Sequence, residues 1–287
     1  MRDSAQRGAD IMKLVRWGAK GSERPGLIDP AGHMRDLSLI VPDIGPEQLA
    51  PKKLAELARL DSAKLPLVPE GARLGVPVAG IGDIFAIGLN YRDHAAEAKM
   101  ALPSEPVLFS KATGSLAGAC DPLALPPGSV KTDWEVELAL IIGRTAKHVD
   151  QASALSHVAG YAVCNDLSER DYQLEKGGQW IKGKSYDGFC PLGPWLVTAD
   201  EIADPQKLGL WLELNGNVMQ KGTTADMVFG VAYLVAYVSR FLTLKPGDVI
   251  TTGTPAGVGL GRGLFLKPGD HLRLGVDGLG IQTQLVL

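Results

Sequence analysis

A chain of 287 residues, 45% hydrophobic and 21% charged, has the composition of a globular protein with room for one large domain or two unequal ones. Its net charge of −3 leaves no basic field, which argues against nucleic acid or an anionic membrane as partner. The three cysteines share no metal or redox spacing and read as buried free thiols in a reducing compartment.

Residues 1–11 are polar, lack the apolar core of a signal peptide and read as a flexible extension, with Met12 a candidate start and the cytoplasm the expected location. Residues 12–78 are expected to form a small N-terminal α/β domain. Short strand-like pieces fill 12–41, and a helix runs from Pro46 to Ala63 with Leu49, Leu54, Leu57 and Leu60 near helical spacing. A Pro- and Gly-bearing connector spans Pro66 to Pro77. Residues 79–287 are richer in motifs and read as a catalytic, metal-binding domain. Strand-like runs fall at 84–89, 107–110, 135–142, 160–165, 208–214, 248–252, 271–276 and 281–287, and the best helix is 224–242. Its apolar run, 228–238, is too short to span a bilayer. Leu-Lys-Pro-Gly-Asp occurs at 244–248 and again at 266–270, where Pro-Gly suits a tight turn leading into a strand.

The chemistry-bearing residues follow in chain order. His94 and Glu97 sit at i, i+3 on a short helix after the first strand, so the carboxylate can orient the imidazole as a base. Such a pair is also a common surface contact. Glu135 and Glu137 alternate on one face of a strand whose remaining residues are apolar on both faces. Two carboxylates that close repel unless protonated or bridged by a cation, and they suit Mg2+, Mn2+ or Ca2+ better than zinc. The alternative is an edge strand with two solvated acids. Asp166 ends the next apolar strand and is the natural third ligand, although with Glu169 it also reads as a capping box. Arg170 and Gln173 lie at i+4 and i+7 from Asp166 and share its helix face. Gly178–Ser185 matches the phosphate-loop pattern, yet its flanks lack the strand and helix which that mechanism needs. The run from Gly253 to Gly261 reads as a turn with exposed N–H groups and the Thr254 hydroxyl.

In this order the motifs resemble the fumarylacetoacetate hydrolase family: Gly88-Leu-Asn-Tyr-Arg-Asp-His-Ala-Ala-Glu, Glu135-Val-Glu, Asn165-Asp166 with Arg170 and Gln173, Gly183-Lys-Ser, and Thr251-Thr-Gly-Thr-Pro-Ala-Gly-Val-Gly259. The resemblance implies an α+β fold, a β-rich roll of mixed sheets, working as a homodimer. It implies Mg2+ (or Mn2+) on Glu135, Glu137 and Asp166, with His94 and Glu97 as the water-activating dyad and Lys184 as an active-site cation. Tyr91, Arg170, Gln173 and Thr254 fall where the family contacts substrate. Lys111 is carried over the same way, although Phe-Ser-Lys-Ala departs from the family's Lys-Pro pairing.

The implied reaction is metal-dependent hydrolysis of a C–C bond in a 2,4-diketo acid, releasing pyruvate. The run 173–185, with Gly193-Pro-Trp-Leu-Val-Thr-Ala-Asp200, looks most like members acting on 2,4-diketo-3-deoxy-L-rhamnonate or L-fuconate, and Gln179 and Lys182 suit a hydroxylated tail. Oxaloacetate decarboxylation, dienoate isomerisation and ureidoglycolate cleavage are the alternatives on this scaffold. A silent binding protein and a nucleotide binder are the alternatives of another class.

Overall fold

A strand that is apolar on both faces must be covered on both, and Val136–Ile142 is buried at every position. The computed structural model describes residues 12–287, so the expected extension 1–11 lies outside the described residues. Val136, Leu138, Leu140 and Ile142 belong to one apolar core, and Ala139 and Ile141 belong to a second. The period of two thus divides one strand between two cores, with the glutamates at its mouth.

The strands are β1 (Lys13–Trp17), β2 (Arg24–Ile28), β3 (Met34–Asp36), β4 (Ile84–Gly88), β5 (Val107–Lys111), β6 (Leu116–Gly118), β7 (Thr132–Asp133) and β8 (Val136–Ile142). They continue with β9 (Val158–Asn165), β10 (Ser168–Glu169), β11 (Cys190–Thr198), β12 (Gly209–Leu214), β13 (Asn217–Thr223), β14 (Val249–Thr251), β15 (His271–Val276) and β16 (Gly280–Leu285). The α-helices are short: α1 (Pro51–Leu57), α2 (Arg92–Glu97), α3 (Arg170–Leu174), α4 (Ile181–Lys184), α5 (Val231–Phe241) and α6 (Gly259–Arg262). A ten-stranded mixed sheet runs β3-β2-β1-β11-β9-β8-β14-β4-β5, with β6 beside β11; β13-β12-β15-β16 form a second sheet and β7-β10 a small ladder. No helix among the described residues is long and apolar enough to cross a membrane.

The N-terminal unit expected over 12–78 supplies β1–β3 and α1 and joins the large sheet, Lys13 pairing with Val197 and Leu14 with Leu196. Leu14, Leu37, Ile44 and Leu49 share a core with Ala139 and Ile141. The sheet and one of its cores therefore run through the boundary near residue 79.

Several elements differ from expectation for local reasons. The helix expected over 46–63 is confined to Pro51–Leu57. Pro51 occupies its first turn and holds Ala50 extended (ψ 138°), which stops a helix running through from 46. The helix expected over 224–242 begins only at Val231. Asn90 holds the preceding segment, its carbonyl accepting from the Val228 N–H (2.7 Å) and its side-chain oxygen from the Phe229 N–H (2.9 Å). The helix expected from Asp166 starts at Arg170, because Ser168 and Glu169 first pair with Asp133 and Thr132.

Beyond the short β6, β7 and β10, two longer strands form where none is expected. β11 carries Pro191 and Pro194, residues that argue against a central strand, and its ladder to β9 shifts register between Gly193 and Val197. β13 follows β12 through Asn215-Gly216, both at positive φ (53° and 78°), the pair a two-residue hairpin turn favours. The repeated Pro-Gly turns are structural: the Asp248 N–H donates to Lys245 O and the Asp270 N–H to Lys267 O, at 3.0 and 3.1 Å. Cys164 and Cys190 are buried free thiols as expected, but Cys120 is exposed.

Candidate active site

β8 and β9 pair antiparallel with Val136 opposite Asn165, which sets the mouth of one strand beside the end of the other. Carboxylate oxygens of Glu135, Glu137 and Asp166 consequently lie within 4.8 Å of one another, all buried. Asp166 caps no helix; Glu169 does, accepting from the Tyr172 N–H at 2.8 Å.

Cations are distributed unevenly over these acids. Lys184 Nζ donates to Glu135 Oε2 (2.7 Å) and Asp166 Oδ2 (2.8 Å). Arg170 Nη2 lies 2.7 Å from Glu135 Oε1, and Lys111 Nζ donates to Asp166 Oδ1 at 2.5 Å. Among the described residues Glu137 has no such partner, its carboxylate accepting from the Gly253 N–H at 2.8 Å. Burial, with Asp166 and Glu135 beside it, pushes the Glu137 carboxyl well above the usual carboxylate range. Burial acts the same way on Glu135, but Lys184 and Arg170 outweigh it and bring that carboxyl down to about 2. Among the described residues Glu137 is the acid of the three that lacks a counter-ion, and three converging hard oxygens could hold Mg2+ or Mn2+.

Lys184 reaches this cluster from the phosphate-loop look-alike. The segment follows α3 instead of a strand, and α4 packs so closely on α3 that a Cβ on Gly183 would fall 2.4 Å from Glu169 O. Its lysine is spent on carboxylates, so the nucleotide-binding alternative falls. An ammonium has three N–H donors, and Lys184 keeps one beyond its two carboxylate bonds.

The glycine-rich run serves the protein's own anions. Gly253 donates its N–H to Glu137, Gly257 to both oxygens of Glu97 (3.1 and 3.0 Å), and Gly259 and Leu260 to Asp133 (2.6 and 2.9 Å). Gly257 has φ +108°, and a Cβ there would lie 1.9 Å from Met219 O, so only glycine can make that turn.

His94 lies on the pocket wall with Nδ1 3.4 Å from Glu97 Oε2. Arg170, Gln173 and Thr254 line the same pocket of about 200 Å³. Arg170 Nη1 donates to Gln173 Oε1 at 3.0 Å, which leaves the other Nη1 hydrogen and the Gln173 amide hydrogens for a ligand. The Thr254 hydroxyl donates to Val136 O and accepts from Gln220 Nε2, both at 2.8 Å.

Four residues assigned to the substrate lie off this wall. Lys111 is buried with its ammonium on Asp166 Oδ1, Leu167 O and Lys184 O, so all three donors are taken. Tyr91 is buried in the core, its hydroxyl without a hydrogen-bond partner among the described residues, and burial together with Glu137 pushes the phenol well above its ordinary value. Gln179 is exposed, and exposed Lys182 donates to Lys176 O at 2.7 Å.

Two contributors escape the sequence reading. Asp133 accepts from Arg170 Nε and Nη2 at 2.9 and 2.6 Å and fixes that guanidinium. It stands two residues before Glu135, so the same alternation could have found it. Gln220, from the second sheet, joins the Val136 N–H to Thr254.

Known proteins resemble this chain in sequence and in fold. The family model for the fumarylacetoacetate hydrolase C-terminal domain matches residues 83–287. A Burkholderia cenocepacia protein named only as a hydrolase is 56% identical over 276 residues, covering 95% of this chain and 98% of its own. A fumarylacetoacetate hydrolase from Exiguobacterium antarcticum is 35% identical with a TM-score of 0.85, covering 96% of this chain and 99% of its own. The maleylpyruvate hydrolase of a Sphingobium species, solved with manganese(II) and pyruvate, is 29% identical with a TM-score of 0.80 and covers 96% and 99%.

Proposed function

The chain belongs to the fumarylacetoacetate hydrolase family, and from that premise we propose that it hydrolyses a carbon–carbon bond of an acylpyruvate to pyruvate and a second acid with Mg2+ or Mn2+. The observation that carries this reading is one pocket holding Glu135, Glu137, Lys184 and His94 together, with Asp166 completing the acid cluster. The likeness to a maleylpyruvate hydrolase solved with manganese and pyruvate supports it.

A divalent cation on Glu135, Glu137 and Asp166 supplies Lewis-acid polarisation at the 2-keto acid end of the substrate. Arg170 and Gln173 hold the substrate carboxylate through their spare N–H groups. His94, oriented by Glu97, takes a proton from water as the oxygen adds to the C4 carbonyl carbon. Lys184 offers its third N–H to the oxyanion that develops there. The C3–C4 bond then breaks, its electron pair stays on C3, and protonation of C3 yields pyruvate while the acyl half leaves as a carboxylic acid.

One finer candidate is 2,4-diketo-3-deoxy-L-rhamnonate or L-fuconate, which a homodimer would cleave to pyruvate and lactate. Gln179 and Lys182 lie off the pocket wall, so that choice rests on the likeness of residues 173–185 and 193–200.

His94→Ala tests the reaction class. Pyruvate release is expected to fall by at least about a hundredfold, with Mn2+ affinity by calorimetry unchanged. Retained turnover would favour decarboxylase or isomerase chemistry, in which His94 is dispensable or only moves a proton. Release of urea from ureidoglycolate would favour the lyase. Joint loss of turnover and bound metal would remove the base assignment.

A further inference from the structure

The pocket wall has two unlike parts. Glu135, Arg170, Gln173 and Lys184 form one hydrogen-bonded group with Glu137 beside it. Leu89, Met100, Phe109, Leu174, Trp180 and Leu260 make up most of the remainder, and none carries a charge. The two parts are continuous, since Lys184 Nζ stands 5.4 Å from the Phe109 ring centroid.

The aromatic side of this wall is held in place. Phe109 and Trp180 meet edge to face with centroids 5.1 Å apart. Trp180 lies so close over Gly88 that a Cβ there would fall 2.6 Å from its ring. The aliphatic side is wet: Met100, Leu174 and Leu260 are 53%, 48% and 43% exposed. Large apolar side chains grouped at the mouth of a pocket mark a surface that a ligand covers.

Resting on the acylpyruvate reading, we propose that this wall receives the acyl end of the substrate, and that the preferred acylpyruvates carry an alkyl or aryl tail and not a hydroxylated one. A methylene moved from water onto the wall gains binding, by about fourfold at full burial. A hydroxyl on the same path loses its water and, apart from the Trp180 indole N–H, meets no strong hydrogen-bonding side chain among these six residues, and so is penalised. The hydroxylated tail suggested by Gln179 and Lys182 is disfavoured for the same reason.

The test measures kcat/KM for pyruvate release, with Mn2+ present, across 2,4-dioxopentanoate, its longer alkyl homologues, 4-phenyl-2,4-dioxobutanoate and 2,4-diketo-3-deoxy-L-rhamnonate. The expected result is a rise of up to about fourfold per added methylene, with the sugar acid below the longer alkyl substrates. Leu174→Asn combined with Leu260→Asn is expected to flatten that rise. A flat or falling series, or the sugar acid as best substrate, overturns the proposal. If no acylpyruvate is cleaved, the reaction reading fails separately, and calorimetry on the Mn2+-loaded protein decides the tail. N-Butyloxamate and N-phenyloxamate binding more tightly than oxamate and N-(2,3-dihydroxypropyl)oxamate supports the apolar wall; equal or weaker binding overturns it.

Discussion

At Glu137 a buried carboxylate faces two others and receives one backbone N–H, whereas Glu135 and Asp166 hold lysines or arginine. Glu137→Gln keeps the shape and removes the charge. Mn2+ affinity is expected to fall by at least about a hundredfold in calorimetry, while the metal-free melting temperature rises by roughly 2–4 °C. The pH dependence follows with its sign. A carboxyl whose folded pKa is raised favours the protonated native state, so the metal-free protein loses stability as pH climbs above the ordinary value of 4.5. Urea titrations at several pH values should show that slope in the native sequence and a shallower one in Glu137→Gln. Unaltered Mn2+ binding would take Glu137 out of the metal site. The metal-site acids were legible because a period of two and a strand end are local signals. Asp133 obeyed the same alternation and went unread, whereas Gln220 reaches the site from another sheet, a placement no local pattern carries.

Among the elements, the loop 253–260 has the clearest mechanical role, because its N–H groups position Glu137, Glu97 and Asp133 together. Gly257→Ala puts a methyl against Met219 O at a backbone angle that L-residues avoid. It is expected to cost at least about 2 kcal/mol in urea unfolding and to lower kcat through displacement of Glu97. Near-native stability and turnover in that variant would show that the loop adapts and that Glu97 is held by other means. Strands made of nearly continuous apolar runs, such as β4, β8 and β9, could be read directly from the chain. β11 could not, because its two prolines signal a break; Pro194 falls in the register shift beside β9, and Pro191 lies opposite Ala117 of β6. β13 was hidden by its polar surface residues, although Asn215-Gly216 announced the hairpin.

At the scale of the molecule, residues 12–78 and the remainder are joined by the β1–β11 ladder and by Arg73. Its guanidinium donates to both oxygens of Asp121 at 2.6 and 2.7 Å and to Glu23 at 3.0 Å. That pairing is non-local, which is why the sequence suggested a separate domain and could not show a shared sheet. Burial raises the Asp121 and Glu23 carboxyls, but Arg73, together with the Gly118 N–H on Asp121 and Arg16 beside Glu23, brings both below their usual values. Groups lowered in this way stabilise the fold above their unfolded pKa and lose that contribution as pH falls through the lowered values. Arg73→Met is expected to cost roughly 1–3 kcal/mol at neutral pH and less under acid conditions, by denaturant titration. An equal cost at both pH values would assign the effect to packing alone. The central claim, that this pocket performs metal-dependent hydrolysis of acylpyruvates, is tested most directly by quantifying both products from a short acylpyruvate with Mn2+ and with EDTA. The account predicts pyruvate and the second acid in equal amounts with metal and neither with chelator; pyruvate formed equally well in EDTA, or without its partner acid, would contradict it.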